Sequence, residues 1–272
     1  MSTASLHDEA YFAAVMRATI LENPWIPHDP TPKQAMFLLM PDLEVLFGGS
    51  AGGGKSEALL MAALQYVDVP GYAAILFRRT YTDLALPGAL MDRAHEWLQG
   101  TAAKWSEKNK TWTFPSGATL SFGYLESEND KYRYQSAEFQ FIGFDELTQF
   151  TETQYRYLFS RLRRLEGSSI PLRMRAASNP GGIGHEWVKQ RFVVGDKPFV
   201  PASLDDNPYI DREEYIKSLM HLDPITREQL LKGDWTAREA GNKFKREWFE
   251  IVDSYPADAR LVRYWDLAAT EP

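Results

Sequence analysis

The 272-residue chain predicts an α/β fold: a mostly parallel sheet covered by helices on both faces. Three observations predict it. Apolar runs of strand length at residues 43–47 and 73–77 and strand-like runs at 139–144 and 172–177 are separated by stretches that include strong helix formers, as expected for parallel strands joined by helical crossovers. A glycine-rich turn, Gly48-Gly49-Ser50-Ala51-Gly52-Gly53-Gly54-Lys55-Ser56, joins the first run to a helix-forming segment at 57–64. The third run ends in Asp145-Glu146.

Taken in order, residues 8–21 predict a helix, followed by a stretch broken by Pro24, Pro27, Pro30 and Pro32. The strand, glycine turn and helix come next. The second strand ends in Arg78-Arg79, and residues 86–98 predict a helix. Residues 111–125 alternate and turn at Pro115-Ser116-Gly117, a hairpin signal. After the strands at 139–144 and 172–177, the Gly, Pro, Asp and Asn content of 195–208 reads as a boundary, with short helices expected at 212–222 and 226–235. Residues 260–265 alternate like a new strand ending at Asp266. The resulting division is 1–198, 199–258 and 259–272.

Composition narrows the class. Hydrophobic residues make up 44% of the chain, yet no run approaches the roughly 18–20 apolar residues that span a bilayer, and the N-terminus lacks a signal-peptide pattern; a soluble protein is expected. With no cysteine there is neither a disulfide framework nor a thiolate metal site. A net charge of -7 argues against coating nucleic acid with the whole surface. It leaves room for a local track: Arg156, Arg161, Arg163, Arg164, Arg173 and Arg175 face only Glu166 in that interval, and charge alone supports a solvated basic face and a DNA contact equally.

From Gly49 the turn satisfies G-x-x-x-x-G-K-[ST], which has a mechanism when it follows a strand and opens a helix. Backbone N–H groups from Ser50 to Lys55 are expected to wrap the β-phosphate of ATP, Lys55 to reach the β/γ oxygens, and Ser56 to hold Mg2+. Hydrolysis needs a second acidic element. Asp145 is expected in the magnesium shell and Glu146 as the base that polarises water. About ninety residues separate Lys55 from Asp145, room for an extra strand; with the adjacent Glu this suggests a RecA-like ATPase. Asn179, at the end of the fourth run, is placed to sense the γ-phosphate, although Asn179-Pro180-Gly181 reads equally as a turn.

Together these residues resemble the large terminase subunit of tailed bacteriophages, the motor ATPase that packages genomic DNA. The likeness rests on Pro32-Lys33-Gln34, Gly49 to Ser56, Phe77-Arg78-Arg79-Thr80, Phe144-Asp145-Glu146, Ser160-Arg161-Leu162-Arg163, Ser178-Asn179-Pro180 running on to Gly184-His185-Glu186-Trp187, and Leu231-Lys232-Gly233-Asp234-Trp235. It implies that Gln34 reads the adenine edge and that Asn179 couples hydrolysis to movement. It implies a ring on the portal protein acting with the small terminase subunit on double-stranded DNA in the host cytoplasm and absent from the mature virion, with monomers in isolation. A neighbouring subunit would supply an arginine, for which Arg133 is the candidate and Arg78, Arg79, Arg161 and Arg163 the rivals. Arg161, Arg163 and Arg164 are candidate DNA contacts, and 199–258 a lid and linker. Arg263-Tyr264-Trp265-Asp266 resembles the first strand of the family's RNase H-like nuclease, with Asp266 its first metal ligand. One carboxylate cannot build a two-metal site, so this chain is expected to be an ATPase without nuclease activity.

Three other readings remain at this point. A different RecA-like motor or helicase would need strand-separation motifs or a second motor domain. A regulatory module that binds ATP without productive turnover would not need Glu146. A small-molecule kinase would need an acceptor pocket.

Overall fold

The computed structural model describes residues 11, 13–237 and 260. Packing divides the chain into Met1–Ala237 and Arg238–Pro272. The second unit, apart from Arg260, lies outside the described residues, and with it Asp266 and the strand expected at 260–265.

Eight strands form one sheet: β1 (Glu44–Gly49), β2 (Ala73–Arg78), β3 (Lys104–Ser106), β4 (Thr111–Thr113), β5 (Thr119–Tyr124), β6 (Phe141–Asp145), β7 (Arg173–Ser178) and β8 (Phe199–Ala202). Their spatial order is β3-β4-β5-β2-β6-β7-β1-β8. Among the described residues, only the β3–β4 and β4–β5 pairings are antiparallel. The burial pattern explains why the runs are apolar throughout. Val45, Phe47, Ala74 and Leu76 belong to one core cluster, whereas Leu46, Ile75 and Phe77 belong to another. Alternate residues thus face opposite sides of the sheet, and both sides are covered. On the first side helix α2 (Lys55–Leu64), which follows α1 (Pro32–Leu39), lays Leu59, Met61 and Leu64 into the core. On the other side Phe150, Tyr155, Phe192 and Trp235 pack together.

The strand that separates β1 from β6 is β7, which follows Asp145 in the chain; the interval between Lys55 and Asp145, expected to leave room for an extra strand, holds β2 to β5 on the far side of β6. Three acts of placement follow from this topology: the glycine turn after β1, Asn179 after β7 and Glu146 after β6 all emerge at the carboxyl ends of neighbouring parallel strands, where ligands bind in open α/β sheets.

The structure corrects several expectations. The helix expected over 86–98 begins only at Leu90, as α4 (Leu90–Leu98), and is preceded by a separate short helix, α3 (Tyr81–Ala85), capped by the Thr80 and Asp83 side chains. Pro87 and Gly88, the latter at φ 75°, separate them. The edge strand β3, three residues long, carries too little pattern to be read alone. The boundary expected at 198 falls just before β8, which pairs with β1 and continues the sheet. The expected helices at 212–222 and 226–235 are α7 (Arg212–Leu219) and α8 (Pro224–Lys232), preceded by α5 (Glu152–Phe159) and the single turn α6 (His185–Val188). Finally, the basic track dissolves at its end. Arg173 and Arg175 lie in β7, 6% and 0% exposed, and Arg175 donates to the carbonyls of Met40 and Asp42. They brace the connection from α1 into β1 and are unavailable to DNA.

Candidate active site

Gly49 must be glycine. Its φ is 142°, and a Cβ there would lie 2.2 Å from the carbonyl oxygen of Ala202 in β8. That contact shapes the whole turn, because Ser50 N–H donates to Ala202 O at 2.9 Å and Ala51 N–H to Leu230 O at 2.7 Å. Of the cradle expected from Ser50 to Lys55, the N–H groups of Ser50 and Ala51 are thus taken by backbone carbonyls, while Gly52, Gly53, Gly54, Lys55 and Ser56 line a cleft of about 650 Å³. Gly49 and Ser50 support the turn from behind.

Lys55 is 7% exposed and its Nζ donates to Ser50 O at 2.5 Å. Burial lowers its pKa to about 8, against the opposing pull of Glu146 and Asp145. Ser56 Oγ donates to Asp145 Oδ1 at 2.9 Å. Arg78 Nε stands 2.9 Å from Asp145 Oδ2, close enough for an ion pair though not aligned as a hydrogen bond.

Glu146 adopts φ 54°, ψ 55°, a left-handed conformation that costs a non-glycine residue about 1 kcal/mol or more. The turn aims its carboxyl into the cleft. Burial, and then the charge of Asp145, raise its pKa, while Lys55 and Arg78 oppose the rise. Asn179 Nδ2 donates to Glu146 Oε1 at 3.3 Å, and Asn179 Oδ1 is buried with no hydrogen-bond partner. The structure thus brings together Lys55, Ser56, Asp145, Glu146 and Asn179.

It gives Gln34 a different task. The side chain belongs to the capping box of α1, its Oε1 accepting from Thr31 N at 2.8 Å, while its Nε2 donates to Gly54 O at 2.9 Å. At 2% exposure it does not line the cleft. His28, Glu57, Arg93 and Tyr209 line the cleft as well. Glu57 accepts from Arg93 Nη1 at 3.1 Å and lies 3.2 Å from His28 Nε2. Tyr209 is 75% exposed, and Asn207 Nδ2 donates to Gly52 O at 2.7 Å. No motif announced these residues, since they come from four separate segments. Arg78 was legible in principle, as a charged residue closing a buried strand.

The remaining arginines are scattered. Arg133 lies outside the cleft, half exposed, with Nη2 3.0 Å from Asp130 Oδ1 and its guanidinium over the Tyr124 ring. Arg79 donates to Leu125 O and Gln154 Oε1, a structural role. Arg163 pairs with Glu138, Arg164 donates to Ile170 O, and Arg161 contacts Ser160 Oγ and the Tyr157 ring.

Ser56 Oγ, Asp145 Oδ1 and the unsatisfied Asp145 Oδ2 form a hard oxygen set of the kind Mg2+ accepts when phosphates complete its shell. Among the described residues there is no group of three or more His, Cys, Asp or Glu side chains able to hold a metal ion without such help. Nor, among the described residues, is any helix long and apolar enough to cross a membrane.

Residues 46–251 match the family model described as terminase large subunit, T4likevirus-type, N-terminal. Among solved structures, a large terminase from a thermophilic bacteriophage superposes with a TM-score of 0.61 at 14% identity, covering 76% of this chain and 54% of that one. The same phage enzyme is known in complex with ATP-gamma-S and with ADP. The HK97 bacteriophage large terminase gives 0.57 at 11% identity, covering 83% and 55%. The ATPase domain of the Thermus phage P74-26 large terminase gives 0.53 at 14% identity, covering 80% of this chain and 99% of that domain. This chain spans about half the length of the first two terminases. No curated protein matches. The shared fold is the RecA-like one.

Proposed function

We propose, from the premise that this chain belongs to the terminase large-subunit family, that it is an ATP-hydrolysing motor driving double-stranded DNA through a portal into a procapsid. The observation that carries the proposal is Glu146, half-buried at the end of β6 beside Asp145 and held by Asn179. A module that only binds nucleotide has no use for a strained, desolvated carboxylate aimed into its cleft.

The chain's own residues divide the work. Gly52 to Ser56 offer backbone N–H groups at the start of α2, where the helix dipole favours phosphate. Lys55, now bonded to Ser50 O, transfers its ammonium to the β/γ oxygens. Ser56 and Asp145 would hold a magnesium ion, which would supply charge neutralisation to the nucleotide's phosphates. Arg78 pairs with Asp145 and fixes its carboxylate. Glu146 orients and deprotonates the attacking water, for which a pKa raised toward the working pH is an advantage. Asn179, with its free Oδ1, reports the state of that end. The base is assigned to the neighbouring rings of His28 and Tyr209, which also line the cleft.

The motor reading assigns Arg133 to a neighbouring subunit's cleft and Arg161, Arg163 and Arg164 to DNA, with the portal and the small terminase subunit as partners. Phosphate release measured with and without double-stranded DNA, followed by ATP-driven DNA uptake into portal-bearing procapsids, tests it. Hydrolysis that DNA stimulates and that Glu146→Gln abolishes is expected. Turnover indifferent to Glu146 would overturn the hydrolytic assignment, and turnover without DNA uptake would overturn the motor.

A further inference from the structure

His185 joins two segments that flank the cleft from different sides. Its Nδ1 accepts the N–H of Gly181 at 2.8 Å, two residues beyond Asn179. An Nδ1 that accepts carries no proton, so the ring is the neutral tautomer with its proton on Nε2, and Nε2 donates to the carbonyl of Trp235 at 3.2 Å. The imidazole also stacks on the Trp235 ring, with centroids 5.5 Å apart at 29°.

Each end of this bridge reaches the site. On one side, Asn179 bonds Glu146 and its carbonyl accepts from Thr148 Oγ1 at 3.2 Å. Gly184 N–H donates to Thr148 O at 2.6 Å, so the loop 179–184 is fastened to the segment after Glu146. On the other side, residues 230–235 press on the back of the phosphate turn. Leu230 O accepts from Ala51 N–H. Gly233, at φ 66°, approaches so closely that a Cβ would lie 2.5 Å from Ser50 N. The Trp235 ring would meet a Cβ on Gly48 at 3.1 Å. Ser50, whose carbonyl holds Lys55, is therefore backed by the same segment that His185 grips.

We propose that His185 is a positioning residue that couples the Glu146–Asn179 side of the cleft to the Lys55 side, through Gly181 and Trp235. It touches no reacting atom. When the γ-phosphate side rearranges, displacement of Gly181 is passed through a rigid, doubly bonded ring to the segment behind Ser50, so that Glu146 and Lys55 are set together. The inference rests on the nucleotide-hydrolysis reading above.

Three substitutions test it. His185→Ala removes both links. His185→Asn places an amide oxygen near the Nδ1 position and keeps only Gly181, whereas His185→Gln places an amide N–H near the Nε2 position and keeps only Trp235. Because coupling needs both links, all three should lower kcat by about tenfold or more, the scale of a small misplacement of catalytic groups. The dissociation constant for ATP-gamma-S should stay within about threefold, since ground-state contacts remain. Amide exchange gives a second readout. In the unsubstituted protein Mg-ATP-gamma-S should slow exchange in both 49–56 and 180–187; in the variants it should slow 49–56 only. Full turnover in the Asn or Gln variant, or an unchanged response at 180–187 in the variants, would overturn the coupling. So would kcat, affinity and melting temperature falling together, which marks a merely structural residue. Absence of protection at 49–56 in the unsubstituted protein would overturn the nucleotide reading itself, a separate and recognisable failure.

Discussion

Arg78 and Asp145 close neighbouring parallel strands, one residue beyond the Phe77–Phe144 pairing, with Nε 2.9 Å from Oδ2. Asp145 is 1% exposed, and its other oxygen is taken by Ser56. A buried carboxylate stripped of its cation is costly. Arg78→Gln should lower stability by about 2–3 kcal/mol, as for a lost charge-assisted contact. A divalent cation beside Asp145 restores the missing charge, so Mg-nucleotide should raise the melting temperature more in the variant than in the parent. Calorimetric scans with and without Mg-ADP measure both; equal ligand shifts would remove Arg78 from the site's electrostatics.

Glu146→Gln should cut phosphate release by about 10²–10⁴, the scale of a lost general base, while nucleotide affinity changes little. Its stability effect has a defined sign. The folded-state pKa is raised, so the protonated carboxyl is favoured on folding; that contribution is full below the unfolded value of about 4.3 and is lost as pH rises through the folded value. Gln imitates the protonated form. The variant should melt above the parent at neutral pH, with the gain fading below about pH 4. A variant that melts lower at pH 7.5 than the parent contradicts the burial that sets the shift.

Lys55 titrates at about 8 because it is buried. Phosphate oxygens favour its charged form, so above pH 8 nucleotide binding takes up a proton and affinity falls by up to about tenfold per pH unit. Below pH 7 the lysine is already charged and affinity should be flat on its account. Titration calorimetry of ADP in two buffers of different ionisation heat reports the proton uptake directly. An equal number of protons at pH 7 and pH 9 would refute it.

Gln34 caps α1 and holds Gly54 O from inside the fold. Gln34→Ala should cost about 1 kcal/mol, typical of a lost cap, and weaken ATP and GTP alike through the glycine turn. Competition of both nucleotides against a fluorescent ADP analogue checks this. A changed ATP-to-GTP ratio would return the base-reading role to Gln34.

Much of the fold was legible because the central strands are buried on both faces and so leave unbroken apolar runs such as Val45-Leu46-Phe47 and Ile142-Gly143-Phe144. Short or exposed pieces were not. β3 is three residues long, and β8, read as a boundary, alternates between buried and exposed positions across a proline. The arginines misled for a related reason: charge is visible in a sequence, but the carbonyls of Met40 and Asp42 that satisfy Arg175 are brought to it only by folding.

The sequence by itself singled out the glycine turn, Asp145-Glu146 and Asn179 as candidates, because each is a local signal where a strand-like run ends. Only the tertiary structure decided that β7 lies between β1 and β6, that Arg78 faces Asp145, that Gln34 is turned inward, and that His185 reaches Trp235. These are contacts between segments far apart in the chain. Their partners are chosen by strand order and packing, which no single stretch of residues encodes.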